Sequence, residues 1–84
     1  MTADEIVQKV NQVFYDTFEL EPDRLTPEAK LFEDLGLDSL DAVDLVASLK
    51  EECGVDLRQD PRVREIRTMG DVYKLVTEIV SSRG

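Results

Sequence analysis

The sequence predicts an all-α fold, a four-helix bundle with three longer helices and one short third helix. Apolar residues recur on one face at about 3.6 residues per turn in three separate segments. Each of those segments opens with a pair of side chains at capping-box spacing, and nowhere does the chain show the apolar-polar alternation of a strand.

The first helix is expected over residues 3–18. Ile6, Val7, Val10, Val13, Phe14 and Phe18 share a face, and Thr2 with Glu5 forms the cap pair. The stretch EPDRLTPEAK then breaks the pattern; Pro22 and Pro27 mark a structured loop that Leu25 and Leu31 anchor to the core. The second helix runs from Ser39 to Cys53, with Asp38 as N-cap, Asp41 three residues later and Gly54 just past its end. Asp60-Pro61, a cap followed by proline at the first helical position, opens a short helical turn over 61–67 with Val63 and Ile66 inward. Thr68 and Asp71 open the last helix, about 69–81, which buries Val72, Leu75, Val76, Ile79 and Val80; the final SSRG is expected to fray.

The second helix carries two apolar faces. Advancing 100° per residue from Ser39, Ala42, Leu45, Val46, Leu49 and Cys53 fall within about 240 to 340°, which is the core face. Leu40, Val43 and Ala47 lie near about 40 to 100°, beside Asp44 and Glu51 at about 120 to 140°. Either a neighbouring element covers this second set, or it is an exposed stripe rimmed by carboxylates, suited to transient docking.

Eighty-four residues make one small domain, 1–84, able to bury about 60 to 65% of the surface of its unfolded chain and too small for a deep catalytic cleft. Apolar residues at 42% and charged residues at 35% support a folded globule. Cys53 is the single cysteine and cannot form an internal disulfide. No apolar run approaches the roughly 20 residues of a membrane span, and the N-terminus lacks the basic-then-apolar pattern of a secretory signal. A cytoplasmic monomer without stable membrane insertion is expected. The net charge of -9 disfavours nucleic acid and anionic membranes and favours partners with basic patches. Residues 33–56, with eight acids and one lysine, hold -7 of that charge, whereas 57–67 sum to +2.

The absence of histidine removes the Ser-His-Asp and Cys-His arrangements and the commonest nitrogen ligand of zinc. The acids of 38–44 recur at spacing three, unlike the D-x-D-x-D-G loop of an EF-hand, so no metal site is expected. Ser39 in EDLGLDSLDAVDL lacks the second glycine of G-x-S-x-G, which leaves no case for a catalytic nucleophile. It stands at a helix N-terminus whose unpaired N–H groups can favour a phosphate. From position alone it is a helix-starting serine, and if functional an attachment point for chemistry performed elsewhere; an acidic helical protein-interaction module without covalent cofactor is the alternative reading of the chain.

The segments LFEDLGLDSLDAVDLVASLKEECGVDL, 31–57, and IRTMGDVYKLV, 66–76, closely resemble the acyl carrier proteins of dissociated, type II synthase systems. The resemblance implies a non-enzymatic carrier. Ser39 would receive phosphopantetheine from coenzyme A through a separate phosphopantetheinyl transferase, and the arm's thiol would hold acyl groups as thioesters. Asp38, Leu40, Asp41, Val43, Asp44, Ala47 and Glu51 would be read by acyl-transfer and synthase enzymes of fatty-acid or a specialised lipid or polyketide-type synthesis. Val46, Leu49, Cys53, Leu57 and Ile66 would line a pocket for the acyl chain. The sequence departs from the family at Cys53, where a bulky aromatic is common, and at Lys50, where an acid is usual. Arg58, Arg62, Arg64 and Arg67 fall in a region typically acidic, as either a solvated basic face or the mark of a different partner set.

Overall fold

A computed structural model describes residues 2–58 and 60–82. Its frame is three α-helices, α1 (Ala3–Phe18), α2 (Ser39–Cys53) and α3 (Met69–Ser82), with no strand among the described residues. Two short 3-10 helices, Pro22–Arg24 and Pro61–Glu65, interrupt the connections.

Local chemistry sets the helix ends. Thr2 Oγ1 accepts from the Glu5 N–H at 3.2 Å, and Glu5 accepts from the Thr2 N–H at 3.3 Å, closing the first capping box. The same reciprocal pair forms between Thr68 and Asp71 before α3. Gly54, at φ 68, ends α2 in the left-handed region, and its N–H returns to the Lys50 carbonyl. At the equivalent place after α1 stands Glu19, a non-glycine residue at φ 58. Ser81 and Ser82, expected to fray, complete α3; Arg83 and Gly84 lie outside the described residues.

The core is built from the predicted faces. Ile6, Val10, Val13 and Phe14 of α1 meet Leu45, Leu49 and Cys53 of α2 and Val72, Leu75 and Val76 of α3. Ile79 and Val80, expected inside, are only partly buried against it. The connection between α1 and α2 adds Leu20, Leu25, Leu31, Leu35 and Leu37, including both anchors expected from sequence.

The short helical turn expected over 61–67 is a five-residue 3-10 helix, Pro61–Glu65, not a fourth α-helix. Asp60 caps it by accepting from the Arg62 N–H at 2.9 Å, Pro61 takes the first position, and the bonds run i to i+3. Five residues give too few hydrogen bonds to repay α-helix nucleation. The backbone that would have extended the helix is already engaged: the Asp71 carboxylate accepts from the N–H groups of Arg67 and Thr68, and the Arg67 carbonyl accepts from Leu31.

That last contact belongs to a seam that docks the long connection onto α3. The Leu31 N–H donates to Arg67, Met69 donates to Ala29 at 3.0 Å, and Gly70 donates to Pro27 at 2.9 Å. A Cβ on Gly70 would meet the Pro27 carbonyl oxygen at 3.0 Å, so any other residue would have to push that backbone back by a few tenths of an ångström. The Tyr73 hydroxyl adds bonds to the Leu25 carbonyl and to Asn11. Through this seam α3 fixes the loop that leads into α2.

Candidate functional site

The site is the first two turns of α2 and the loops beside them. Asp38 is the N-cap: one carboxylate oxygen accepts from the N–H groups of Leu40 at 2.9 Å and Asp41 at 3.0 Å. Asp41 answers by accepting from the Asp38 N–H at 3.2 Å, while the Asp38 carbonyl takes the first helical bond, from Ala42. Ser39 follows the cap and is exposed. The capping role therefore belongs to Asp38, and the Ser39 hydroxyl is not required for it.

This geometry narrows the phosphate-favouring helix start read from the sequence. Of the N–H groups there, those of Leu40 and Asp41 are taken by the Asp38 carboxylate. A phosphodiester on Ser39 would have to extend into solvent and meet its partners there or on an enzyme.

The two faces of α2 separate as the helical geometry requires. Leu45, Leu49 and Cys53 are buried, whereas Leu40 is 75% and Val43 67% exposed, with Ala47, Asp44 and Glu51 also exposed beside them. Ser48, on the flank away from the stripe, accepts a 3.0 Å bond from Thr17 of α1. Thus α1 covers one flank and the core another, leaving Leu40, Val43 and Ala47 to solvent. Asp38 is exposed and Asp41 half-buried at the head of the same surface.

Behind the stripe lies a cavity of about 60 Å³, almost wholly apolar. Val46, Leu49, Leu57 and Ile66 line it together. Cys53 is buried in the core outside this lining, where burial pushes its thiol pKa up. The sequence reading missed Phe32, which lines the cavity while remaining 50% exposed, and did not assign to it Leu31, Leu37, Ala42, Leu45 and Val63, which complete the wall. The signal for Phe32 was weak: it is an apolar residue beside the anchor Leu31, in a connection whose side-chain directions no periodicity sets.

The arginines do not form one patch. Arg58 makes two bonds to the Asp56 carboxylate, which lies 3.7 Å from Lys50. Those bonds hold the Asp56 carboxyl down at about 2. Arg62 pairs with Asp60 at 2.7 Å and with Glu78 of α3 at 3.2 Å, which ties the 3-10 turn to the last helix. Arg67 donates to the carbonyls of Arg64 and Ile66, closing the end of the turn. Only Arg58 and Arg64 of the four reach the groove beside the exposed stripe.

Among the described residues no group of three or more acidic or cysteine side chains is placed to hold a metal ion, and no helix is long and apolar enough to cross a membrane.

Comparison with known proteins adds an independent line. The family model described as the phosphopantetheine attachment site matches residues 8–76. The chain is 40% identical over 82 residues to "Acyl carrier protein 2" of Ralstonia nicotianae, covering 98% of this chain and all of that protein. It is 35% identical over 82 residues to "Acyl carrier protein" of Thermosynechococcus vestitus, with 98% and 100% covered. An "Acyl carrier protein" of Saccharopolyspora erythraea matches at 37% over 81 residues, 96% of this chain and 84% of that one.

Proposed function

The chain belongs to the acyl carrier proteins, the family that carries a phosphopantetheine attachment site, and on that premise we propose that Ser39 is the residue modified. The protein is a carrier and not an enzyme, and its cofactor is a covalently bound phosphopantetheine whose thiol holds acyl groups as thioesters. The observation that carries the assignment of Ser39 is its position one residue past Asp38. The cap is made without it, and Ser39 is exposed at the capped helix start. A chain without histidine leaves the chemistry of attachment to a separate transferase.

The rest of the chain, residues 1–84 acting as one carrier domain, serves presentation. Leu40, Val43 and Ala47 offer apolar contact, and Asp38, Asp41, Asp44 and Glu51 steer synthase and acyl-transfer enzymes that carry basic patches. The cavity bounded by Val46, Leu49, Leu57 and Ile66 holds the proximal end of an acyl chain. At about 60 Å³ it admits only a few methylene-sized groups, since a single water needs about 10–15 Å³, so longer chains must spread its walls. Cys53 stands back from that wall, so Cys53→Phe would act on chain-length preference only through the core side chains between it and the cavity. The work fits fatty-acid synthesis or a specialised lipid or polyketide-type synthesis in the cytoplasm.

Incubation of the apo protein with coenzyme A and a broad-specificity phosphopantetheinyl transferase, followed by intact-mass measurement, tests the assignment. One phosphopantetheine is gained by the wild type and none by Ser39→Ala. No gain by folded wild type, or an equal gain by Ser39→Ala, rejects Ser39 as the site.

A further inference from the structure

Between α2 and the 61–65 turn runs an open groove of about 530 Å³ whose floor and walls are Ala42, Val43, Val46, Ala47, Leu57 and Val63, with Arg58 and Arg64 on its far wall. The charges around it are sorted by sign. On α2, Val46 at about 340° and Val43 at about 40° face the groove, and Asp44 and Glu51, at about 120 to 140°, lie beyond the exposed stripe on the side away from the arginines. Lys50, at about 20°, falls on the arginine side. The Asp56 carboxylate sits between Lys50 and Arg58 and neutralises one of them, leaving one net positive charge there. Arg64 joins no ion pair among the described residues. Across this face the order is a positive rim, an apolar groove, the Leu40 ridge and a negative rim.

We propose that this groove docks a partner segment with an apolar ridge flanked by basic side chains on one edge and acidic side chains on the other. The inference rests on the reading of α2 as the partner surface and adds its second, positive rim. An all-acidic rim would accept any basic amphipathic segment. Here a segment basic on both edges would place cations against Arg58 and Arg64, while one with an acidic edge pairs both rims at once. The positive rim thus acts as a discriminator among partners that the acidic residues alone would all attract.

Two designed helical peptides with the same leucine ridge, one with a basic and an acidic edge and one basic on both edges, provide the probes. Their affinities for the holo protein are measured at 0.15 M salt, where a Debye length of about 8 Å confines the comparison to local charges. The mixed-edge peptide is expected to bind about tenfold more tightly than the all-basic one, and Arg58→Glu/Arg64→Glu is expected to reverse that order. Amide shifts should move at Val43, Val46, Ala47 and Val63 in the wild type. Equal or tighter binding of the all-basic peptide to wild type, an order unchanged by the reversal, or no binding of either peptide overturns the proposal. Asp44→Lys separates the two levels. Weakened binding there with no effect of the arginine reversal removes the positive rim alone, and no effect of either removes the α2 surface as well. Thermal unfolding of each variant confirms that the fold persists.

Discussion

Replacement of Asp38 by alanine should destabilise the protein by an amount that the geometry of the cap fixes. The substitution deletes the one oxygen that accepts from both Leu40 and Asp41, at 2.9 and 3.0 Å. Both bonds are exposed, so water replaces the lost acceptor and the penalty is that of a missing cap, about 1 kcal/mol, not that of a buried orphan. Loss of a negative charge at the positive end of α2 adds about 0.5 kcal/mol. The sum, about 1.5 kcal/mol, corresponds to a fall in Tm of roughly 6–12 °C for a domain of this size. Asparagine keeps the acceptor and loses only the charge, so Asp38→Asn should fall by roughly 2–4 °C. Thermal unfolding followed by far-UV circular dichroism compares the three proteins, and hydrogen exchange at Leu40 and Asp41 locates the effect. If alanine matches wild type, or if asparagine is as damaging as alanine, the cap does not hold the start of α2 as described.

Other substitutions probe other parts of the molecule. The Asp56 carboxyl lies at about 2 against an ordinary 3.8 because Arg58 binds its charged form, so the stabilisation is present above about pH 4 and is lost as the pH falls toward 2. A carboxyl titration by NMR should show that midpoint, and Arg58→Ala should return it toward 3.8; an unmoved midpoint refutes the pairing. Leu49 is fully buried, and Leu49→Ala should cost about 2–5 kcal/mol in denaturant unfolding, whereas Leu40→Ala should change stability by less than about 0.5 kcal/mol yet weaken capture by partner enzymes. Glu19→Gly, at φ 58, should raise stability by about 0.5–1 kcal/mol, and a loss would show that the Glu19 side chain contributes more than its backbone conformation costs.

The helices were legible because their signals are local. Thr2 with Glu5, Asp38 with Asp41 and Thr68 with Asp71 each state where a helix starts within four residues of sequence, and all three boxes close. The connection from Glu19 to Asp38 was legible only as a loop, because its backbone partners are remote: Pro27 answers to Gly70, Ala29 to Met69 and Leu31 to Arg67. The same remoteness explains the third helix. Its start at Asp60-Pro61 is local and appears as expected, but its end is decided by Asp71 and Leu31, which the periodicity of 61–67 does not contain.

For the candidate site, legibility turned on register. A helix wheel of α2 is enough to show that Leu40, Val43 and Ala47 cannot share the core with Leu45 and Leu49, and the exposures follow that division. The lining of the cavity is different, since Phe32 comes from the connection before α2 and Val63 from the 3-10 helix after it, and a wheel of α2 describes the placement of neither. At Ser39 the decisive fact is a shift of one position. Had the serine been the N-cap, its oxygen would be committed to the N–H groups of the first turn, as the Asp38 carboxylate is. With aspartate one residue earlier, the helix start is capped by a neighbouring side chain, and the Ser39 hydroxyl is free of that duty, which is what the proposed attachment at Ser39 requires.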